Sequence, residues 1–192
     1  MINKINSKKE KSRNTHWLEI KKTLRLCSEN DLMGLIAELY SLSKSNKDFL
    51  DARFIQDGKI LGHYKIQIKK YLAPNEPWKE SQQISLKDAK KILSTYKKAT
   101  SNPVGLIELM VHYVECGTDF LCEYGDMYEQ YYVSLESVFD SALKLMSSFS
   151  VSEIQEFIDR LKIVVKKSCS IGWGHYDSVL DMLNTAYPEN QK

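Results

Sequence analysis

Apolar positions along most of this chain return every three to four residues, the spacing that lines one face of an α-helix. "HWLEIKKTLRLC" sets Trp17, Leu18, Ile20, Leu24 and Cys27 near one side. "SENDLMGLIAELYSLS" repeats Leu32, Leu35, Ile36, Leu39 and Leu42, and "KILGHYKIQIKKYL" repeats Leu61, Tyr64, Ile68, Tyr71 and Leu72. Ile66 and Ile68 mimic the alternation of a strand only briefly. Start signals agree with the period. Ser28–Asp31, Ser45–Asp48, Ser85–Asp88 and Ser150–Glu153 each put a hydroxyl three residues ahead of a carboxylate. Such a pair can satisfy free N–H groups of a first helical turn reciprocally, with the acid at the positive end of the helix dipole. Asn102–Pro103 is a fifth start, with proline where its missing N–H costs nothing.

The pattern predicts an all-α fold: an irregular multi-helix domain of about eight or nine helices with helical-hairpin or repeat-like character. The helices are expected at 15–27, 29–43, 46–55, 59–72, 86–99, 103–116, 118–147, 151–168 and 175–186, with 118–147 broken near Gly125. Residues 1–14 read as a basic disordered tail. Residues 15–192 read either as one helical domain or as two sub-domains, 15–72 and 85–187, joined by a 73–84 loop with two prolines and Trp78.

Charge sharpens this picture. Residues 1–100 hold 21 Lys or Arg against 11 Asp or Glu, and residues 101–192 hold 6 against 14. No Lys or Arg occurs from Ser101 to Leu143, where eight acids do. A basic half and an acidic half can attract each other, or can face two partners of opposite charge. The basic half raises the possibility of phosphate binding. Arginine is scarce, though, and the pI of 8.2 falls short of a dedicated nucleic-acid domain, so nucleic acid is not the favoured partner. No apolar run is long enough to cross a membrane, the first residues have no apolar signal core, and the four cysteines form no CxxC pair. A cytoplasmic location with free thiols is the expectation.

Three segments carry candidate chemistry. In "LIELMVHYVECGTDFLCEYGDMYEQYYVSLES", Glu108, His112, Glu115 and Cys116 fall near one another on a helix, followed by Asp119, Glu123 and Asp126. Imidazole and carboxylates are metal ligands, and His112, Glu115 and Asp119 are the weak metal alternative. Glu-x-x-x-His matches neither the di-iron bundle motif nor HExxH, so no metal and no cofactor is expected. Tyr124, Tyr128, Tyr131 and Tyr132 form an aromatic cluster that reads as core or groove wall, offering rigid amphipathic area for recognition, with Tyr128, Tyr131 and Tyr132 at the i, i+3, i+4 spacing of helical packing. In "SCSIGWGHYDSV", Gly172 and Gly174 flank Trp173, with His175 and Asp177 following. A GxG without a preceding strand or a third glycine is no phosphate loop. The stretch reads first as a sharp helix–helix junction that plugs Trp173 into the core and throws His175 and Asp177 outward; the sequence leaves open whether they face Glu123–Asp126.

These segments also resemble a known family. The order "LIAELYSLSKSNKDFLDARF", "AKKILSTYKKA", "LMVHYVECGTDFLCEYGDMYEQYYVSLESVFDSALKL" and "IGWGHYDSVLDML" is similar to a family of small bacterial proteins catalogued as a domain of unknown function. The likeness runs from about Trp17 to Ala186 and is densest at Tyr113-Val114-Glu115-x-Gly117, Glu123-Tyr124-Gly125-Asp126 and Ile171-Gly172-Trp173-Gly174-x-x-Asp177. It implies an all-helical domain and carries no reaction. With no catalytic constellation, a polarised charge and clustered tyrosines, the expected function is a non-enzymatic protein-binding module. Its candidate binding residues are Tyr113, Glu115, Glu123, Tyr124, Asp126, Tyr128, Trp173, His175 and Asp177. A small enzyme or metal-binding protein using 108–126 is the alternative, and nucleic-acid binding through the basic half is another.

Overall fold

The computed structural model describes residues 16–55, 58–74, 83–172 and 174–188. The basic tail at 1–14, Trp78 and Trp173 lie outside them. The chain is an all-α, multi-helix protein, and the described residues contain no strand. Helix α1 covers residues 16–24. It is followed by α2 (Glu29–Leu42), α3 (Lys44–Phe54), α4 (Gly58–Leu72), α5 (Leu86–Ala99), α6 (Pro103–Tyr124), α7 (Glu129–Met146) and α8 (Val151–Lys167). A short 3₁₀ turn, Ser168–Ser170, leads to α9 (His175–Ala186).

Four of the five expected helix starts are present. The Asp31 carboxylate accepts the Ser28 N–H at 3.1 Å while the Asp31 N–H donates back to the Ser28 hydroxyl at 3.2 Å. Glu153 accepts from the Ser150 N–H at 2.9 Å, the Ser85 hydroxyl accepts the Asp88 N–H at 3.3 Å, and Asn102 Oδ1 accepts the Gly105 N–H at 2.9 Å. The fifth is displaced. α3 begins before Ser45: the Ser43 hydroxyl accepts the Asn46 N–H at 3.1 Å, and Asp48 pairs with Lys44 at 2.9 Å. Ser43 and Ser45 offer the same hydroxyl, and the earlier one extends the helix by two residues.

Two compact units divide the chain at Leu50/Asp51, inside α3, and not at the 73–84 connection. α4 packs directly on α5 and α6, so α4 and α5 form a helical hairpin within one unit. Unit 1 comprises α1, α2 and the start of α3. No residue of α2 is buried, although eight of its 14 residues are Leu, Ile, Met, Ala or Tyr.

Unit 2 is built around α6. This helix buries Leu106, Ile107, Leu109, Val111, Tyr113, Val114, Phe120 and Leu121, which cover more than half of its circumference. A helix with so wide an apolar face belongs in the middle, and α4, α5, α7 and α8 each pack against it, with Glu108, His112, Glu115 and Asp119 on the remaining arc. α9 closes the layer over α7 and α8. The expected break between 116 and 118 is absent. Gly117 does not end α6 but brings it close to α7, since a Cβ there would lie 2.3 Å from Leu135 Cδ2. The helix ends at Gly125 instead, where φ of 85° and ψ of −165° require glycine.

Candidate functional site

The Gly-x-Gly junction and the α6–α7 corner, distant in sequence, meet in space. Gly174 sits at the N-cap of α9 with φ 67°, the left-handed conformation that glycine adopts without a Cβ clash. Gly172 lies against the Asp126 carboxylate so closely that a Cβ would come within 3.1 Å of Oδ2. Asp126, exposed just after Gly125, accepts a hydrogen bond from the Tyr132 hydroxyl at 2.8 Å. That hydroxyl accepts in turn from the Met127 N–H at 3.1 Å. The Tyr132 ring packs on the His175 ring, centroids 5.6 Å apart. His175 is 0% exposed, and its Nδ1 bonds Glu136 Oε1 at 2.9 Å. Its Nε2 is buried without a hydrogen-bond partner. Burial, above all, raises the Tyr132 phenol.

The outward His175 expected from the sequence is therefore corrected. Its side chain turns inward because α7 presents Tyr132 and Glu136, four residues apart on one face, to the first turn of α9. Asp177 does face solvent, at the positive end of α9. Chemically the cluster is a clamp. It joins the α6–α7 corner, α7 and the start of α9 through two carboxylates, a phenol and an imidazole, with Asp126 open to solvent.

The acids of α6 form a second constellation. Arg160 of α8 is bidentate on Glu115, with Nε–Oε1 and Nη2–Oε2 both 2.7 Å, and its Nη1 reaches Glu108 at 2.6 Å. Lys65 of α4 takes the other Glu108 oxygen at 2.6 Å. Lys167 holds Asp119 at 2.6 Å. Burial opposes ionisation of Glu108, but the hydrogen bonds from Arg160 and Lys65 outweigh it and hold its carboxyl below the ordinary range. Glu115 and Asp119 are thus committed to cations on α8. Among the described residues, no three His, Cys, Asp or Glu side chains stand where they could share a metal ion.

His112 lies one turn before Cys116 on α6, with Nε2 3.4 Å from Sγ. This is no thiolate–imidazolium pair. Burial pushes the Cys116 thiol up to about 12, and burial with the nearby Lys65 charge lowers His112, so both groups are neutral near pH 7. The two side chains line a cavity of about 310 Å³ with Lys69, Asp119 and Lys167. A second cavity of about 310 Å³ shares Lys69, Cys116 and Asp119 and adds Glu123 and Tyr124.

The remaining predicted residues scatter. Tyr113 is buried and bonded to the Ser134 hydroxyl at 2.7 Å, and burial pushes its phenol up to about 12. Tyr124 packs its ring 4.9 Å from Phe120. Tyr128 caps α7, half-exposed, edge-on to Tyr131 at 6.3 Å. Asp126 and His175 are brought together; Tyr113, Glu115 and Tyr128 are not part of that cluster. Arg160 and Glu136 escaped notice in the sequence. The signal for Arg160 was there: the acid-only stretch 101–143 needs a cation from elsewhere, and α8 holds the one arginine after residue 100.

Compared with known proteins, the chain matches no family model, no curated protein and no solved structure. These comparisons neither support nor contradict the family resemblance of its motifs.

Proposed function

We propose that this chain is a helical protein-binding module that docks an amphipathic helix of another protein on α2. One observation carries the reading: α2 has a continuous apolar stripe and no buried residue. At 100° per residue, Leu32, Leu35, Ile36, Leu39 and Leu42 fall within one third of the helix circumference. Leu35, Ile36 and Leu39 are 39–43% exposed and Leu42 is 75% exposed, with Met33 beside them at 60%. In α1 of the same unit, Trp17, Leu18 and Ile20 are also exposed. Exposed apolar surface grouped in this way is uncommon on a protein without a partner.

The edges of the stripe name the partner's chemistry. Asp31 and Glu38 flank one side and Glu29 the other, while α2 contains no Lys or Arg. The complement is a helix with Leu or Ile at i, i+3, i+4 and i+7 and Lys or Arg at the margins. The ionic pairs of α6 are satisfied internally, which leaves them a structural role and adds to this reading.

A display library of helical peptides, with a fixed leucine stripe and randomised polar positions, tests this on the purified chain. Enrichment of Lys and Arg beside the stripe is expected, with binding abolished by Leu35→Asp/Leu39→Asp in a chain that keeps its helical circular dichroism. A selection that enriches nothing, or peptides that bind the variant equally, contradicts the proposal. A dimer in sedimentation that the same variant dissolves puts a second copy on the stripe in place of another protein.

A further inference from the structure

The structure assigns a second binding face, independent of α2: we infer that the outer surface of the α4–α5 hairpin binds the phosphate backbone of double-helical nucleic acid without reading its sequence. α4 and α5 carry nine lysines, no arginine and a single acid, Asp88. Asp88 is occupied at the helix start, accepting the Ser85 hydroxyl at 2.6 Å. Lys65 is also occupied, by Glu108. Lys69, Lys70, Lys87, Lys91, Lys97 and Lys98 are exposed, and no carboxylate among the described residues pairs with them.

Packing turns two helices into one basic face. α5 buries Ala89, Leu93, Tyr96 and Ala99, and Lys87, Lys91 and Lys98 lie on the opposite arc. α4 likewise buries Tyr64, Ile68 and Leu72 and presents Lys70 away from that side, while Lys69 borders the cavities against α6. The Ser85 N–H bonds the Tyr71 carbonyl at 2.9 Å, and the Tyr64 and Tyr96 rings meet at 5.1 Å. Both contacts fix an antiparallel register that sets Lys70 beside Lys87 and Lys91. A 14-residue helix spans about 21 Å, on the order of six base pairs of a duplex.

Residue types select the partner. Lysines without arginine supply point charges suited to phosphates, and lack the planar fork that reads guanine or grips carboxylates in pairs. An interfacial membrane helix would set Trp, Phe and Leu beside its lysines; on α4 and α5 only Ile66 is a large exposed apolar side chain. Single strands are bound by stacking on exposed aromatics, and Tyr71, the aromatic beside Lys70, is half-buried. The chain-wide charge of +2 hid this face because α6–α9 supply the balancing acids.

Fluorescence anisotropy of a labelled random-sequence duplex with the whole chain tests the inference. Binding at 50 mM salt is expected to weaken by a few hundred-fold at 200 mM, the response of about five phosphate contacts. Lys87→Gln/Lys91→Gln should reduce affinity at least tenfold and make the salt slope shallower by about two. Lys87→Arg/Lys91→Arg should restore both, and Lys144→Gln/Lys166→Gln should change neither. Three results overturn the inference: no duplex binding at 50 mM salt, an unchanged slope in the Gln variant, or binding of phosphatidylserine vesicles or polyglutamate in place of duplex. None of these variants touches α2, so failure here and failure of the docking proposal are separate outcomes.

Discussion

Arg160 shows how much one side chain decides. It ties α8 to α6 through Glu115 and Glu108, and Lys65 extends the tie to α4. With the guanidinium 21% exposed, removing Glu108 should cost about 1–3 kcal/mol, less than the 3–5 kcal/mol of a fully buried pair. The depressed Glu108 carboxyl gives stability that is fully present above its unfolded pKa and is lost as pH falls through the lower folded value. In urea titrations, Glu108→Gln should therefore be less stable than the native chain at pH 7, and the gap should close below about pH 4. A gap independent of pH would show that the carboxylate charge is not what holds the helices. The same burial sets thiol reactivity. A disulfide-exchange reagent should label exposed Cys122 and Cys169 well before Cys116, whose thiol is pushed up to about 12. Early labelling of Cys116 would contradict its burial. At this scale the sequence was legible where chemistry is local, as in the caps at Ser28, Ser85, Asn102 and Ser150. It was opaque for Glu115, read as a candidate ligand, because its partner stands 45 residues away.

Helix order and type were legible from periodicity, and most boundaries fell close. Gly117 misled because glycine serves two purposes that sequence alone does not separate. It ends helices, and it lets helices approach. Here the neighbour decides: Leu135 of α7 is fully buried and occupies the space a Cβ would need. Gly117→Ala should destabilise the chain by about 1–2 kcal/mol, the overpacking cost exceeding the gain in helix propensity. Stabilisation in a thermal melt would mean that Leu135 moves aside freely. The His175 clamp was half legible. Both participating segments stood out, yet Glu136 and Tyr132 matter only once α9 is laid on α7, and His175 was placed outward for want of that contact.

On the scale of the molecule, the charge asymmetry was legible as a count, but only the fold shows where it goes. Within the second unit, acids of α6 pair with cations of α4 and α8 while most lysines of α4 and α5 are exposed; within the first, the apolar stripe of α2 is exposed between acidic edges. The division of the chain at Leu50/Asp51 was not legible, because the proline-bearing 73–84 connection is the stronger punctuation in sequence. It joins helices that pack on each other, whereas the boundary lies inside a continuous helix. The docking proposal is tested most directly by titrating the chain with two labelled helical peptides that share one leucine stripe, flanked by lysine in one and by glutamate in the other. Acidic edges on α2 predict binding of the lysine-flanked peptide at least tenfold tighter, lost in Leu35→Asp/Leu39→Asp. Equal affinity for both peptides, preference for the glutamate-flanked one, or no binding of either would contradict it.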